Sequence, residues 1–375
     1  MPGDLIRRIS EGVSNSHASA GGSERQDFFN LASVSVHWRR ALQLKVKSIR
    51  VTRPQDLANA VKAYPNATMV HIAFDSNTQA PVNLSALKHL PNLDVLIVSP
   101  SRRLTTAQLQ TLELHPQAKG VTVSLNDSKS CNSMVMAHLA SVGAIKGLMF
   151  VSSPTENLDI EAITPLKDKL VTLAFRSLSI NGQGFKHLQG FSKLEVLIIN
   201  NCNDVDNAHL GLLSDLPSLK ALDLSNSLPV SDTGFHHLCQ LRSLETLKLD
   251  RLEVGAIDSD AVRGLNRLKH LTVREHITNC DEALHAIGGL SNLESLCLGR
   301  DKDRGNVSPE GIAQLKSLKK LQTFVCLSNT FNDAALMKLE GLTNLREVRI
   351  SNGTVSDKAI ASFKEANKEA RLVLR

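Results

Sequence analysis

The chain has 375 residues, 43 of them basic against 37 acidic, and a formal net charge of +6. The two signs are intermixed and no polybasic block occurs, so neither nucleic acid nor a membrane surface is an expected partner. Aromatic residues make up only 3%, with a single Trp and a single Tyr, and six cysteines lie scattered at 131, 202, 239, 280, 297 and 326 without a C-x-x-C pair. That usage fits reduced thiols in an intracellular setting rather than a disulfide framework or a metal centre. No apolar run approaches the ~18 residues that a membrane-spanning helix needs, and the N-terminus lacks the apolar core of a signal peptide.

Residues 1–42 open with MPGDLIRRIS, in which Pro2, Leu5, Ile6 and Ile9 are the apolar positions. A Ser/Gly/Asn-rich stretch, SEGVSNSHASAGGSERQ, follows, and then DFFNLASVSVHWRRAL. In this last segment Phe28, Leu31, Val34 and Trp38 recur at spacings of three and four, the period of an amphipathic helix. Asp27 stands where a helix N-cap belongs, and Arg39 and Arg40 lie at the other end, where the helix dipole favours cations.

From residue 43 the character changes. The pattern L-x-x-L-x-x-L-x-L recurs thirteen times between Val70 and Leu372, at spacings of 24 to 28 residues. Clear copies are Leu90-Leu93-Leu96-Val98, Leu216-Leu219-Leu222-Leu224, Leu241-Leu244-Leu247-Leu249 and Leu290-Leu293-Leu296-Leu298. Aligned on the third apolar residue, the copies fall at 70, 96, 121, 148, 173, 197, 222, 247, 271, 296, 324, 348 and 372. In the copy starting at Leu194, Leu197 and Ile199 have the spacing of a short strand. Asn200–Asp204 turn the chain, and Val205, Leu210 and Leu213 return at helical spacing behind Asp206 as a cap. The same back half recurs as VSDTGFHHL (230–238), VSPEGIAQL (307–315), FNDAALMKL (331–339) and VSDKAIASF (355–363). A period near 25 belongs to leucine-rich repeats, in which each unit packs only on its neighbours. The expected fold is therefore an α/β solenoid, a horseshoe of about 13 repeats over residues 43–375. Val46, Ile49 and Val51 start the array, and Leu372 with Leu374 form its last strand after the charged segment SFKEANKEAR.

The back half resembles the cysteine-containing class of leucine-rich repeats. Cys202 fits the position that names that class, whereas Ser227, Leu252 and His276 depart from it, which implies a less regular ladder there. The N-terminal segment resembles an F-box, a small helical module beginning Leu-Pro-x-x-Leu and ending in a helix rich in Val, Arg and Trp. Pro2, Leu5, Ile6 and Ile9 match its first part, and Leu31, Val34, Trp38 and Arg39 its second, with an insert of small polar residues between. The resemblance implies docking of those eight residues on a Skp1-type adaptor, so that the repeats present a captured protein to an SCF-type ubiquitin ligase. Capping of the first repeat by residues 28–42 is the alternative. The whole chain also resembles the GALA-type F-box/leucine-rich-repeat effectors of plant-pathogenic bacteria, although their Gly-Ala-x-Ala-Leu-Ala motif is missing. On that likeness residues 1–26 are a flexible secretion signal, and the protein acts in the host cytoplasm or nucleus; a eukaryotic F-box protein is the alternative.

Target recognition falls to strand residues pointing away from the core. Those expected are Ile97, Met149, Val151, Arg176 and Ile198 in an exposed apolar half, and Asp223, Lys248, Asp250, Arg274 and Arg349 in a charged half. The alternative for the apolar half is simple strand preference. Residues 300–306, RDKDRGN, are either a projecting contact or a tolerated insertion. No phosphate loop, metal motif or nucleophile with its base is found, and His236-His237 read as helix surface. The chain is expected to be a binding protein, not an enzyme, without cofactor or metal, and a monomer outside its complex.

Overall fold

The computed structural model describes residues 48–374 apart from 73–82, 99–105, 119, 126–131, 152–158, 181, 203–204, 228, 250, 254–258, 274–279, 300–306, 329 and 352. Strands and short helices alternate throughout. The strands are β1 (Ser48–Val51), β2 (Met69–Ile72), β3 (Val95–Val98), β4 (Val121–Leu125), β5 (Ile145–Val151), β6 (Thr172–Arg176), β7 (Val196–Asn200) and β8 (Ala221–Asp223). They continue as β9 (Pro229–Ser231), β10 (Thr246–Leu249), β11 (Arg251–Glu253), β12 (His270–Val273), β13 (Ser295–Gly299), β14 (Thr323–Leu327), β15 (Glu347–Ser351) and β16 (Arg371–Leu374). Fourteen of them form one parallel sheet in chain order, from β1 to β16 without β9 and β11.

One apolar ladder runs the length of that sheet. Ile49 pairs with Val70, Val70 with Leu96, Leu96 with Val123 and Val123 with Leu148. The ladder goes on through Leu173, Leu197, Leu222, Leu247, Leu271, Leu296, Phe324 and Val348 to Leu372. Every rung from Ile49 to Val348 is at most 4% exposed. Burial of each leucine contributes roughly 2 kcal/mol, so a stack of like rungs is what holds successive units together.

The sequence alignment slips at β4. Leu96 pairs with Val123, not Val121, and Thr122 lies opposite Val95. The register shifts between Val121 and Thr122, because Ile145 and Gly147 both face this short stretch. Gly147 is required there: a Cβ would stand 2.4 Å from Thr122 Oγ1. Since Val121, Val123 and Leu125 alternate equally well, the slip of two leaves inside and outside unchanged.

The back halves pack over the other face of the ladder. Several of their helices are capped at the position that Asp206 holds in its own unit. Ser231 accepts from Gly234 N, Ser308 from Gly311 N, Asn332 from Ala335 N and Ser356 from Ala359 N. Neighbouring caps are tied together as well, since Ser308 Oγ donates to Asp281 and Ser356 donates both Oγ and backbone N–H to Asp333. Those two Ser356 bonds hold the Asp333 carboxyl below its usual range. Elsewhere the turns tighten to 3-10 geometry, as at Leu84–His89, where Asn83 Oδ1 accepts from Ser85 N at 2.9 Å, and at Ile160–Leu166 and His209–Asp215. Asp206 nonetheless accepts from His209 N at 3.0 Å, close to the capping role expected of it. A second parallel pair, β9 with β11, lies outside the main sheet and was not foreseen from the sequence.

Cys202 is buried, and its thiol donates to the carbonyls of Phe175 and Asn200 at 3.5 Å. Burial pushes its pKa up to about 11, so the thiol stays protonated. Ser227 repeats the arrangement one unit later, donating to Ile199 O at 2.8 Å. The expected irregularity is therefore absent at Ser227, because a hydroxyl makes the same bond as the thiol. Leu252 and His276, the other departures, have no described side chains.

Candidate functional site: the sheet face opposite the helices

Strand side chains alternate, so every second residue points away from the helices. The register puts His71, Ile97, Ser124, Met149, Ala174, Ile198, Asp223, Lys248, Thr272, Cys297, Val325 and Arg349 in one row across that face. Val151, Arg176 and Asn200 belong to the next row along the strands. The structure thus brings Ile97, Met149, Val151, Arg176, Ile198, Asp223, Lys248 and Arg349 onto one surface. Asp250 and Arg274 lie outside the described residues, as do the loop 300–306 and all eight adaptor-binding candidates, Pro2, Leu5, Ile6, Ile9, Leu31, Val34, Trp38 and Arg39.

The apolar half is not exposed as expected. Ile97 is 9% exposed, Met149 7% and Ile198 1%. They join Met69, Val95, Ala174, Val196 and Ala221 in a second apolar cluster, distinct from the main core, with half-buried Val151 against it. Strands ~4.8 Å apart hold like side chains in contact across neighbours. Met69, Val95, Val196 and Ala221 were missed in the sequence. They stand two residues before the chosen row, and the same alternation would have found them.

Charge enters at β8 and β10. Lys248 Nζ lies 3.9 Å from Asp223 Oδ2, with side-chain exposures of 8% and 5%. Asp223 Oδ1 also accepts from Ser225 N. At the far end Arg349 is exposed and pairs with Glu347 at 2.8 Å. At the near end His71 has its Nε2 buried without a hydrogen-bond partner among the described residues. Burial, and then the nearby Arg50 charge, lower its pKa to about 4, so the ring is neutral at pH 7. Among the described residues no cluster of three or more His, Cys, Asp or Glu side chains lies where a metal ion could be held. A surface of this kind, a long face with an apolar strip passing into charged residues, is suited to binding.

Parallel strands in chain order, each followed by a capped helix or tight turn, define a leucine-rich-repeat solenoid. A family model described as a leucine-rich repeat region matches residues 174–361, half of the chain, and the protein belongs to that family. By sequence no curated protein matches it. Among solved structures it is similar to the internalin InlF of Listeria monocytogenes, at 15% identity and TM-score 0.51, over 84% of this chain and 82% of that one. It is also similar to a chain of the mouse RP105/MD-1 complex, at 14% identity and TM-score 0.50, over 88% of this chain and 68% of that one. At such identities the likeness establishes the fold. The fold is one generally used as an interaction scaffold, not as a catalyst.

Proposed function

We propose that this protein is the substrate-recognition subunit of an SCF-type ubiquitin ligase. In this reading residues 1–42 dock on a Skp1-type adaptor, and the sheet face opposite the helices holds a target protein. The observation that supports it is a juxtaposition: F-box-like segments carrying Leu5, Ile9, Leu31 and Trp38 stand directly before a repeat array whose first strand begins at Ser48. An amphipathic helix with apolar anchors suits a groove on a partner, and the long strand face suits a folded protein. The likeness to bacterial GALA-type effectors extends the reading to a protein delivered into a host cell.

Capture on immobilised Skp1-type adaptor tests it. Wild type should be retained and the Leu5→Ala/Trp38→Ala double mutant lost, since truncating central anchors removes most of the binding energy of such an interface. Failure to retain the wild type overturns the ligase reading. A leucine-rich-repeat scaffold or inhibitor with no tie to ubiquitin is then the reading that stands, and the RP105/MD-1 complex is a precedent for a protein partner on this fold.

A further inference from the structure

From β12 to β15 the strand face opposite the helices is open. Thr272, Cys297, Val325 and Leu327 are half-buried, and the Arg349 side chain is 51% exposed. The register turns these side chains away from the ladder that forms the core, so they line a surface.

Two features of that surface are chemically specific. The first is aliphatic. Val325 and Leu327 stand two residues apart on β14 and so share one side of the sheet. The register neighbour of Leu327 on β13 is Gly299, which has no side chain, so the neighbouring rung does not screen that flank of Leu327. The second feature is cationic. Glu347 accepts from Arg349 Nε at 2.9 Å and lies 2.8 Å from its Nη2. The register neighbour of Glu347 on β16 is Arg371, which is exposed. One carboxylate thus stands among two guanidinium groups. Among the described residues, the rows of β12 to β16 on this face hold no other Asp or Glu, so positive charge is in excess beside the aliphatic pair.

We propose that this patch takes an extended segment of the target protein in which a Leu, Ile or Val stands two residues from an Asp or Glu. The aliphatic side chain rests on Val325 and Leu327, and Arg349 and Arg371 hold the carboxylate in charge-assisted hydrogen bonds. The spacing follows from the sheet. Side chains two residues apart on an extended chain point the same way and lie ~6.6 Å apart. With strands ~4.8 Å apart, the midpoint between β15 and β16 lies ~7 Å from β14, so a segment crossing the strands reaches both features at once. A basic segment brings like charge against the arginines, so charge sets the specificity while the aliphatic contact adds buried area. The inference rests on the strand face being the recognition surface of the proposed function, and it does not depend on capture by the adaptor.

Binding of the full-length protein to an array of random seven-residue peptides tests it. Wild type should select peptides with an Asp or Glu two residues from a Leu, Ile or Val. The best of them, measured by fluorescence anisotropy, should bind about tenfold more weakly to Arg349→Glu. The same variant should turn the selection toward Lys and Arg. Lys364→Glu, exposed on the helix Asp357–Ala366, should select as wild type does. Both substitutions change exposed side chains, and circular dichroism checks that each variant is folded. Bound peptide should also slow alkylation of Cys297 several-fold, read at that residue by mass spectrometry. No selected peptide, selection without preference for acidic residues, equal binding by Arg349→Glu, or an unprotected Cys297 overturns the proposal. Adaptor capture is read separately. A failed pull-down with the selection intact removes the ligase reading and leaves this site, and captured adaptor with no selected peptide does the reverse.

Discussion

Gly299, the last residue of β13, tests how tightly neighbouring repeats are locked. Its φ is +82°, a conformation open to glycine but disfavoured for other L residues, and a Cβ placed on it would stand 2.6 Å from the carbonyl oxygen of Leu327. That carbonyl belongs to the residue opposite Gly299 in the sheet register, so it cannot retreat without moving β14. Gly299→Ala therefore carries two costs. The left-handed conformation costs ~1–2 kcal/mol, and forcing atoms into a packed contact adds ~1–3 kcal/mol. Gly190 separates the two, because its φ is +83° but nothing lies within 4 Å of the added Cβ. Gly190→Ala should cost only ~1–2 kcal/mol, and Gly299→Ala ~3 kcal/mol in total. Urea unfolding followed by circular dichroism, with both variants compared through the same transition, measures the difference. Equal destabilisation by the two variants would refute the contact between Gly299 and β14.

Two further outcomes follow from the charged and titratable groups on the same face. His71 has a pKa near 4 in the folded chain against 6.5 ordinarily, so below pH 6.5 the unfolded chain takes up a proton that the folded one refuses. Stability is then full above pH 6.5 and falls as the pH drops toward 4, by up to about 3 kcal/mol; urea melts at pH 7, 5.5 and 4.5 should show this slope, and His71→Gln should flatten it. Asp223→Ala takes the carboxylate from the buried Lys248 ammonium and should cost roughly 3 kcal/mol, whereas Glu347→Ala, in the exposed pair with Arg349, should cost under ~1 kcal/mol. Thermal melts rank the two, and equal small losses would contradict a buried pair.

Much of the fold was legible because a solenoid writes its core at one spacing. Leu222, Leu247 and Leu296 each sit in the same frame of surrounding leucines, and the ladder follows that frame. Within the repeats the capping position was read at Asp206 only, although Ser231, Ser308, Asn332 and Ser356 hold the same place in their own units and accept from a helical N–H three residues on. The β4 register was not legible, because VTVSL alternates identically in two frames and only the Thr122–Gly147 contact chooses between them. Ser227 looked like a departure because a residue type was read where a hydrogen bond was conserved in kind. The recognition face was legible in its direction and not in its degree of burial. Alternation tells which way Ile97, Met149 and Ile198 point, but not how deeply they are buried, which no local pattern encodes.

The most direct measurement is calorimetric titration of purified Skp1-type adaptor into the full-length protein. The proposed function predicts a one-to-one complex with a Kd on the order of micromolar or tighter, about −8 kcal/mol. It also predicts that Leu5→Ala/Trp38→Ala abolishes the heat while Arg349→Glu, on the open strand face, leaves it intact. A wild-type protein that gives no heat of binding, or a double mutant that binds as well as wild type, would contradict it.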